Sequence, residues 1–525
     1  MRAARRYAAG GGRRFAAPAC AVVALVAATP AVAQTAAARA PHAAADRAGS
    51  RGGGARAPAA PAAQPTAPPA RAVAGRPPAR RSPHRLRAVV ELAATLAGGA
   101  AWYWIDRDRQ VADWDFPSVE QRLTFEAWRY DHNPFPINFI AHPLNGAAWH
   151  VIARSNGFGK LSAVGYGLAT SLAWEFGLEF REKVSVNDVI ATTAAGVAIG
   201  EFAHLLGRFL AAPGRPAGPL AAAARWTVGL GAAGHAAIDG AAPAPVPWVR
   251  LAGGATSARW RASGDAPGGA WTTAGVRFRG ELVDVADFGS GRPRAGWFAA
   301  GSATSLEVAA ATGGGGYGVD VYAEVVPAGY RAQRDGRALV VGPAVAYRYR
   351  KHAFPMWNDR LGVVHLPGPA VAAWWTRRTW RASVAARASA DFAGVDANAF
   401  AAWRADHPSA YDRTILHKHG YYYGWGGSAR LRAEVAAGRA ALGAVVQAAA
   451  YASDEGLDRN QEEIDLEAPA RDTAVDAEAW ARWRAAETWY VELRGHWGRR
   501  DERIAGGYRY GASMSQWSLS VGAAR

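Results

Sequence analysis

From about residue 250 onward, apolar and polar positions alternate. Trp489, Val491, Leu493, Gly495 and Trp497 interleave with Tyr490, Glu492, Arg494 and His496. Trp380, Ala382, Val384, Ala386 and Ala388 interleave with Arg381, Ser383, Arg387 and Ser389, and Val319, Val321, Ala323 and Val325 with Asp320, Tyr322 and Glu324. A period of two places each set on its own face of a strand. About 11 or 12 such segments of roughly 10–16 residues can be counted. Tight turns are expected at Arg377-Arg378, Gly438-Arg439 and Arg499-Arg500, and longer polar connections at 395–418 and 453–483. One face is small and apolar with aromatics near the strand ends, and the other is charged. That is the pattern of an outer-membrane barrel, whose closure satisfies every backbone group in lipid. A soluble sandwich is disfavoured because the segments are long and numerous and their polar face is dense in Arg. Val384, Leu431, Val491 and Leu493 are therefore expected to face outward. Barrel-assembly signals usually end in an aromatic residue, whereas this chain ends Ala-Ala-Arg, with Trp517 the nearest tryptophan.

Residues 87–212 follow a different pattern. Ala88–Ile105 is apolar except for Glu91 and Thr95. A helix is expected over Leu144–Ser155 beside Pro143, a second over Lys160–Lys183, and a third opening at Ser185, with Asp188 in its first turn. Gly196-x-x-x-Gly200 allows a close helix contact. The helices contain few charged groups, so these need partners. Ser171, Glu175 and Glu179 share one helix face at i, i+4, i+8. Glu201 and His204 form E-x-x-H, half of a di-iron arrangement, but no second copy exists in the block and no metal or cofactor is expected. The expected arrangement is a buried polar network of Arg154, Glu175, Glu179, Asp188 and Glu201, with Arg154 as the natural cation.

The run Ala141-His142-Pro143-Leu144-Asn145-Gly146, then Ala153-Arg154-Ser155-Asn156-Gly157, Ser171-x-x-Trp174-Glu175-x-x-x-Glu179, Ser185-x-x-Asp188 and Gly196-x-x-x-Gly200-Glu201 resembles an uncharacterised bacterial envelope family. It is catalogued as domain of unknown function 3943, and the resemblance covers about residues 100–210. It implies an envelope setting and brings no catalytic residue. The E…D…G order more loosely resembles small membrane proteins of the teicoplanin-resistance type.

Charge changes the picture less than its total suggests. The net charge is +17, but residues 1–87 hold 15 Arg and one acid, Asp46, so they carry +14 of it. The remainder is close to neutral, which excludes a global nucleic-acid footprint. The Arg-rich start, the apolar stretch Phe15–Ala28 and Ala31-Val32-Ala33 read as a secretory signal peptide over 1–33. Cys20, the sole cysteine, falls inside it. Residues 34–86 are an Ala/Pro/Arg linker with too little apolar mass to order itself.

These readings give an α+β chain: signal peptide 1–33, linker 34–86, helical domain 87–212, linker 213–250 and barrel 251–525. The expected partners are outer-membrane lipid and the barrel assembly machinery, with no nucleic acid. The first functional expectation is a structural or transport component of the outer membrane of a Gram-negative bacterium, its helical domain plugging the lumen or sitting at the periplasmic rim. The alternative is a membrane-embedded acyl hydrolase or acyltransferase, with His142, Ser155 and Glu175 as candidates and His150, Asn156 and Ser171 near them in sequence.

Overall fold

The structure, a computed structural model, describes residues 82–105, 116–213, 219–407, 414–454, 457 and 468–524. The signal peptide, Cys20 and the linker through residue 81 lie outside the described residues.

The described residues close into an antiparallel barrel of twelve strands. These are β1 (Trp248–Gly264), β2 (Gly269–Val283), β3 (Ala303–Gly313), β4 (Gly316–Val326), β5 (Arg337–Phe354), β6 (Trp357–Thr376), β7 (Trp380–Asp396), β8 (Tyr421–Ala437), β9 (Ala440–Ser453), β10 (Ala470–Arg484), β11 (Trp489–Ile504) and β12 (Tyr508–Ala524). Each pairs with its sequence neighbours, and β12 pairs with β1. Two short strands, Arg294–Phe298 and Gly329–Arg334, extend the sheet beside β5. Connections alternate between two ends. One, the loop end, carries the long segments 397–420 and 454–469. The other, the turn end, carries the start of β1, the finish of β12, the tight turns near 378, 438 and 486, and the 284–302 connection.

Alternation decides the faces. Val384, Leu431, Val491 and Leu493 are exposed on the outside, as expected, and Trp380, Trp483 and Trp489 are exposed at the turn end. The other set fills the lumen with ion pairs that join non-adjacent strands. Arg348 and Arg350 (β5) meet Asp476 (β10) at 3.0 and 2.9 Å, Arg430 (β8) meets Glu307 (β3) at 2.9 Å, and Arg500 (β11) meets Asp359 (β6) at 2.6 Å. Apolar clusters lie at both ends. Trp260, Trp271, Phe354 and Trp357 pack at the loop end, and Val283, Phe288, Val326 and Val340 at the turn end. Two cavities of 90 and 100 Å³ lie among the inward side chains, and a third of 360 Å³ lies at the turn end beside Gly438, Arg439 and Tyr490. The barrel is of outer-membrane type, with an apolar exterior and a charged interior.

Two expectations about connections are corrected. Arg499-Arg500 is not a turn. It lies within β11, because Arg500 reaches inward to Asp359 and Asp472, and the chain reverses at 505–507. The segment 453–483 is not one long connection. Ala470–Arg484 is β10, whose inward Asp472, Asp476 and Glu478 made it look like a loop.

The helical block comprises α1 (Arg85–Ile105), α2 (Val119–Leu123), α3 (His142–Ser155), α4 (Lys160–Ala173), α5 (Val186–Ile190) and α6 (Gly196–Ala211). Single π-helical turns precede α3 (Ile137–Ala141), follow α4 (Trp174–Leu178) and join α5 to α6 (Ala191–Ala195). The second helix thus stops short of Lys183. The stretch 213–250, expected as linker, contains α7 (Pro219–Trp226) and α8 (Leu230–Asp239).

The helices of this block neither plug the lumen nor sit at the rim; the short helices Phe400–Asp406 and Ile415–His419, in the connection before β8, lie at the loop end. The block packs on the outer wall of the barrel. Phe139 lies over Gly362 and Gly394, whose neighbours His365 and Asp391 point inward, and a Cβ at either glycine would collide with its ring. Phe202 and Leu205 cover Phe278 and Leu282, whose neighbour Glu281 faces the lumen. The reason is visible in the strands. Side chains already fill the lumen, while the outward face of β2–β8 offers glycines and hydroxyls to the block.

Candidate functional site

The block stands along the full height of the barrel wall. At the loop end, Tyr423 Oη donates to Asp131 (2.9 Å), Tyr421 Oη donates to the Asn133 carbonyl (2.7 Å), and Tyr347 donates to the Phe139 carbonyl. Burial pushes the His419 imidazole, in the loop helix Ile415–His419, down to about 4. It is therefore neutral at pH 7, and Nε2–H can donate to the His132 carbonyl at 2.9 Å. At the turn end, Arg208 meets Asp284 (2.5 Å), and Lys160 Nζ donates to the Ala299 carbonyl (2.9 Å). Helices α1, α3 and α4 and the continuous α5–α6 run between these levels.

Two buried polar clusters lie within the block. The first is a knot on Glu201, which is fully buried. Arg154 grips it with Nε (2.8 Å) and Nη2 (3.2 Å), His150 Nε2 lies 3.0 Å away, and Ser302 Oγ, from the connection before β3, donates at 2.7 Å. Close contact of α3 and α6 makes the knot possible. Gly196 lies against Gly146, and Gly200 against His150, in the Gly196-x-x-x-Gly200 stripe.

The second cluster lies at the opposite end of the same helices. Asp131, His142 and Asp188 bring one ligand-type atom each within 4.8 Å of one another, and so do Glu175, Glu179 and Asp188. His142 Nε2 is 3.3 Å from Asp188 Oδ1. Asn138 and Asn187 donate to Asp131 Oδ1 (3.0 and 2.9 Å), and Glu175 accepts from the Ser185 amide (2.9 Å).

The expected single network is thus two. Arg154 meets Glu201, and its remaining donor Nη1 goes to the Phe158 carbonyl (2.7 Å) rather than to Glu175 or Glu179. Of the hydrolase candidates, His142 and Glu175 share the second cluster through Asp188, and the candidate nucleophile Ser155 does not reach it. Ser155 lies 13 positions from His142 on α3, roughly 20 Å along the helix axis. Asn156 bonds Glu91 and Arg87, and Ser171 is buried in α4. Asp131, Asn138, Asn187 and Ser302 were not anticipated. Asp131 sits in a stretch that reads only as helix-breaking, and Ser302 is 101 residues from the carboxylate it serves.

Residues 127–228 match the model of DUF3943, a domain of unknown function. The match covers the block from just before Asp131 through α7. No curated protein matches the chain. Among solved structures, the COG4313 outer membrane channel from Pseudomonas putida F1 is similar at 10% identity, covering 53% of this chain and 96% of that one, with a TM-score of 0.26. The NanC porin is similar at 11% identity, 51% and 98% coverage and a TM-score of 0.23. A FadL homologue from Pseudomonas aeruginosa is similar at 10% identity, 53% and 89% coverage and a TM-score of 0.22. The barrel assignment itself rests on strand register and closure.

Proposed function

We propose that this protein is an outer-membrane scaffold, exported by a cleaved signal peptide, whose sealed barrel holds a helical bundle beside it in the same bilayer. The observation that carries this reading is the docking of the helices on the outward face of the strands, from one barrel end to the other. A barrel's outward face is its lipid face, so whatever covers it over that height shares the membrane. The helices are suited to lipid. Arg85–Ile105, little buried, is long and apolar enough to cross a membrane by length and composition; Val186–Ala211 meets the same measure but is mostly buried within the protein. Leu161 (87% exposed) and Leu168 on α4 and Val90 and Trp102 on α1 are exposed apolar side chains. The longest connection between barrel strands, 397–420, lies at the loop end, which supports an extracellular loop end and a periplasmic turn end.

The role this supports is structural rather than an open channel, because cross-lumen ion pairs and apolar end clusters interrupt the barrel interior. Two measurements test it. Purified protein in a planar bilayer should show no steady single-channel conductance. A spin label on Leu168→Cys, introduced after removal of the signal peptide's thiol, should be reached by dissolved oxygen and shielded from a water-soluble nickel chelate. Free access of the nickel chelate would place the bundle in water and overturn the reading.

A further inference from the structure

We propose that the cluster at the loop end of the bundle is a binding site for one divalent first-row transition cation, with Asp131, His142 and Asp188 as ligands and Glu175 and Glu179 beside them. Three observations support it. The donor atoms of Asp131, His142 and Asp188 already lie within 4.8 Å of one another, so each could reach a common ion at about 2.0–2.2 Å after small side-chain adjustments. Asp188 also lies within that span of Glu175 and Glu179, so a central carboxylate serves both triads and can recruit a fourth or fifth oxygen.

The second observation concerns a polar atom within the cluster. His142 Nε2 is buried 3.3 Å from Asp188 Oδ1, an ion-pair contact that does not reach hydrogen-bond geometry. Buried polar atoms without hydrogen-bond partners are rare and call for a ligand, water or ion.

The third is the surrounding layer. Asp131 receives Asn138, Asn187 and the Tyr423 hydroxyl, and Asn187 also donates to Asp188 at 2.7 Å. Neutral donors fixing carboxylates from behind are what a metal site uses to orient its ligands. The donor set of one imidazole with several carboxylates suits Mn²⁺ or Zn²⁺ better than Ca²⁺, which takes oxygen ligands alone, or Cu⁺, which seeks thiolates. The Glu201 knot is not a second such site, since Arg154 already supplies its cation.

The test uses the full mature chain, purified in detergent, stripped with a chelator and dialysed. Mn²⁺ is then titrated and read by electron paramagnetic resonance, with Zn²⁺ content measured by mass spectrometry after a parallel load. The expectation is about one ion per chain, with affinity lowered at least tenfold in Asp188→Asn and in His142→Gln and unchanged in Asp335→Asn, an exposed acid at the turn end. Heat-modifiable gel migration confirms a folded barrel in each variant, and protease resistance near residues 130–140 confirms a docked block. Should Asp188→Asn fail to fold, His142→Gln decides. Folded wild-type protein that retains neither ion, or binding equal in wild type and the folded ligand variants, overturns the proposal.

Discussion

Arg154 and Glu201 show how one pair can hold two helices and a barrel connection together. Glu201 is buried, and its four donors come from α3 (Arg154 twice and His150) and from Ser302. Removing the cation leaves a stranded carboxylate. Arg154→Ala should therefore destabilise the block by about 3–5 kcal/mol. Adding Glu201→Gln should recover part of that loss, whereas Glu175→Gln should not, because Glu175 belongs to the other cluster. Urea titration of the detergent-solubilised variants, followed by proteolysis of the block, separates these outcomes. Gly394 makes an opposite demand, for absence of side chain. Its Cβ position is occupied by the Phe139 ring, so Gly394→Leu should lift the block from the wall at a cost of about 1–3 kcal/mol. Protease sensitivity near residues 130–140, with an intact heat-modifiable barrel, would register it.

Among the elements, the strands were the most legible. Lipid on one side and a charged lumen on the other impose a strict period of two, as in β11, where Val491 and Leu493 face out and Glu492 and Arg494 face in. The exception, β10, has small outward residues and an acidic inner face, so its pattern resembled a polar loop. Helices α3, α4 and α6 were legible from apolar content, but their π turns were not, because a single extra residue per turn leaves no compositional mark. The docking side was also invisible. It depends on Phe139 meeting Gly362 and Gly394, more than 200 positions away, and nothing local links them. For the same reason Asp131 could not be joined to His142 and Asp188 in advance. Its place is set by tyrosines of β8.

At the level of the whole molecule, the two halves share one wall, and each needs the other. The outward hydroxyls of Tyr347, Tyr421 and Tyr423 are bonded by the block, so a barrel without it would expose them to hydrocarbon at a cost of several kcal/mol. A chain reduced to residues 248–524 is expected to yield a lower fraction of heat-modifiable barrel on refolding into lipid vesicles than the full mature chain. The buried polar pair also bears on how such helices reach an outer membrane at all. A wholly apolar helix of this length would be arrested in the inner membrane during export. An ionised group near mid-helix adds about 2.5–3.5 kcal/mol against lateral release there. Glu201, inside the apolar run Val186–Ala211, supplies that opposition while its partner is still absent, and loses it once Arg154 closes on it. On the proposed placement of the bundle in the bilayer, the same carboxylate is expected to oppose arrest during export and to fasten the block once Arg154 meets it. Replacing Glu201 and Arg154 together by leucine should leave the helices equally apolar on both journeys, and cell fractionation should then find the chain stranded in the inner membrane.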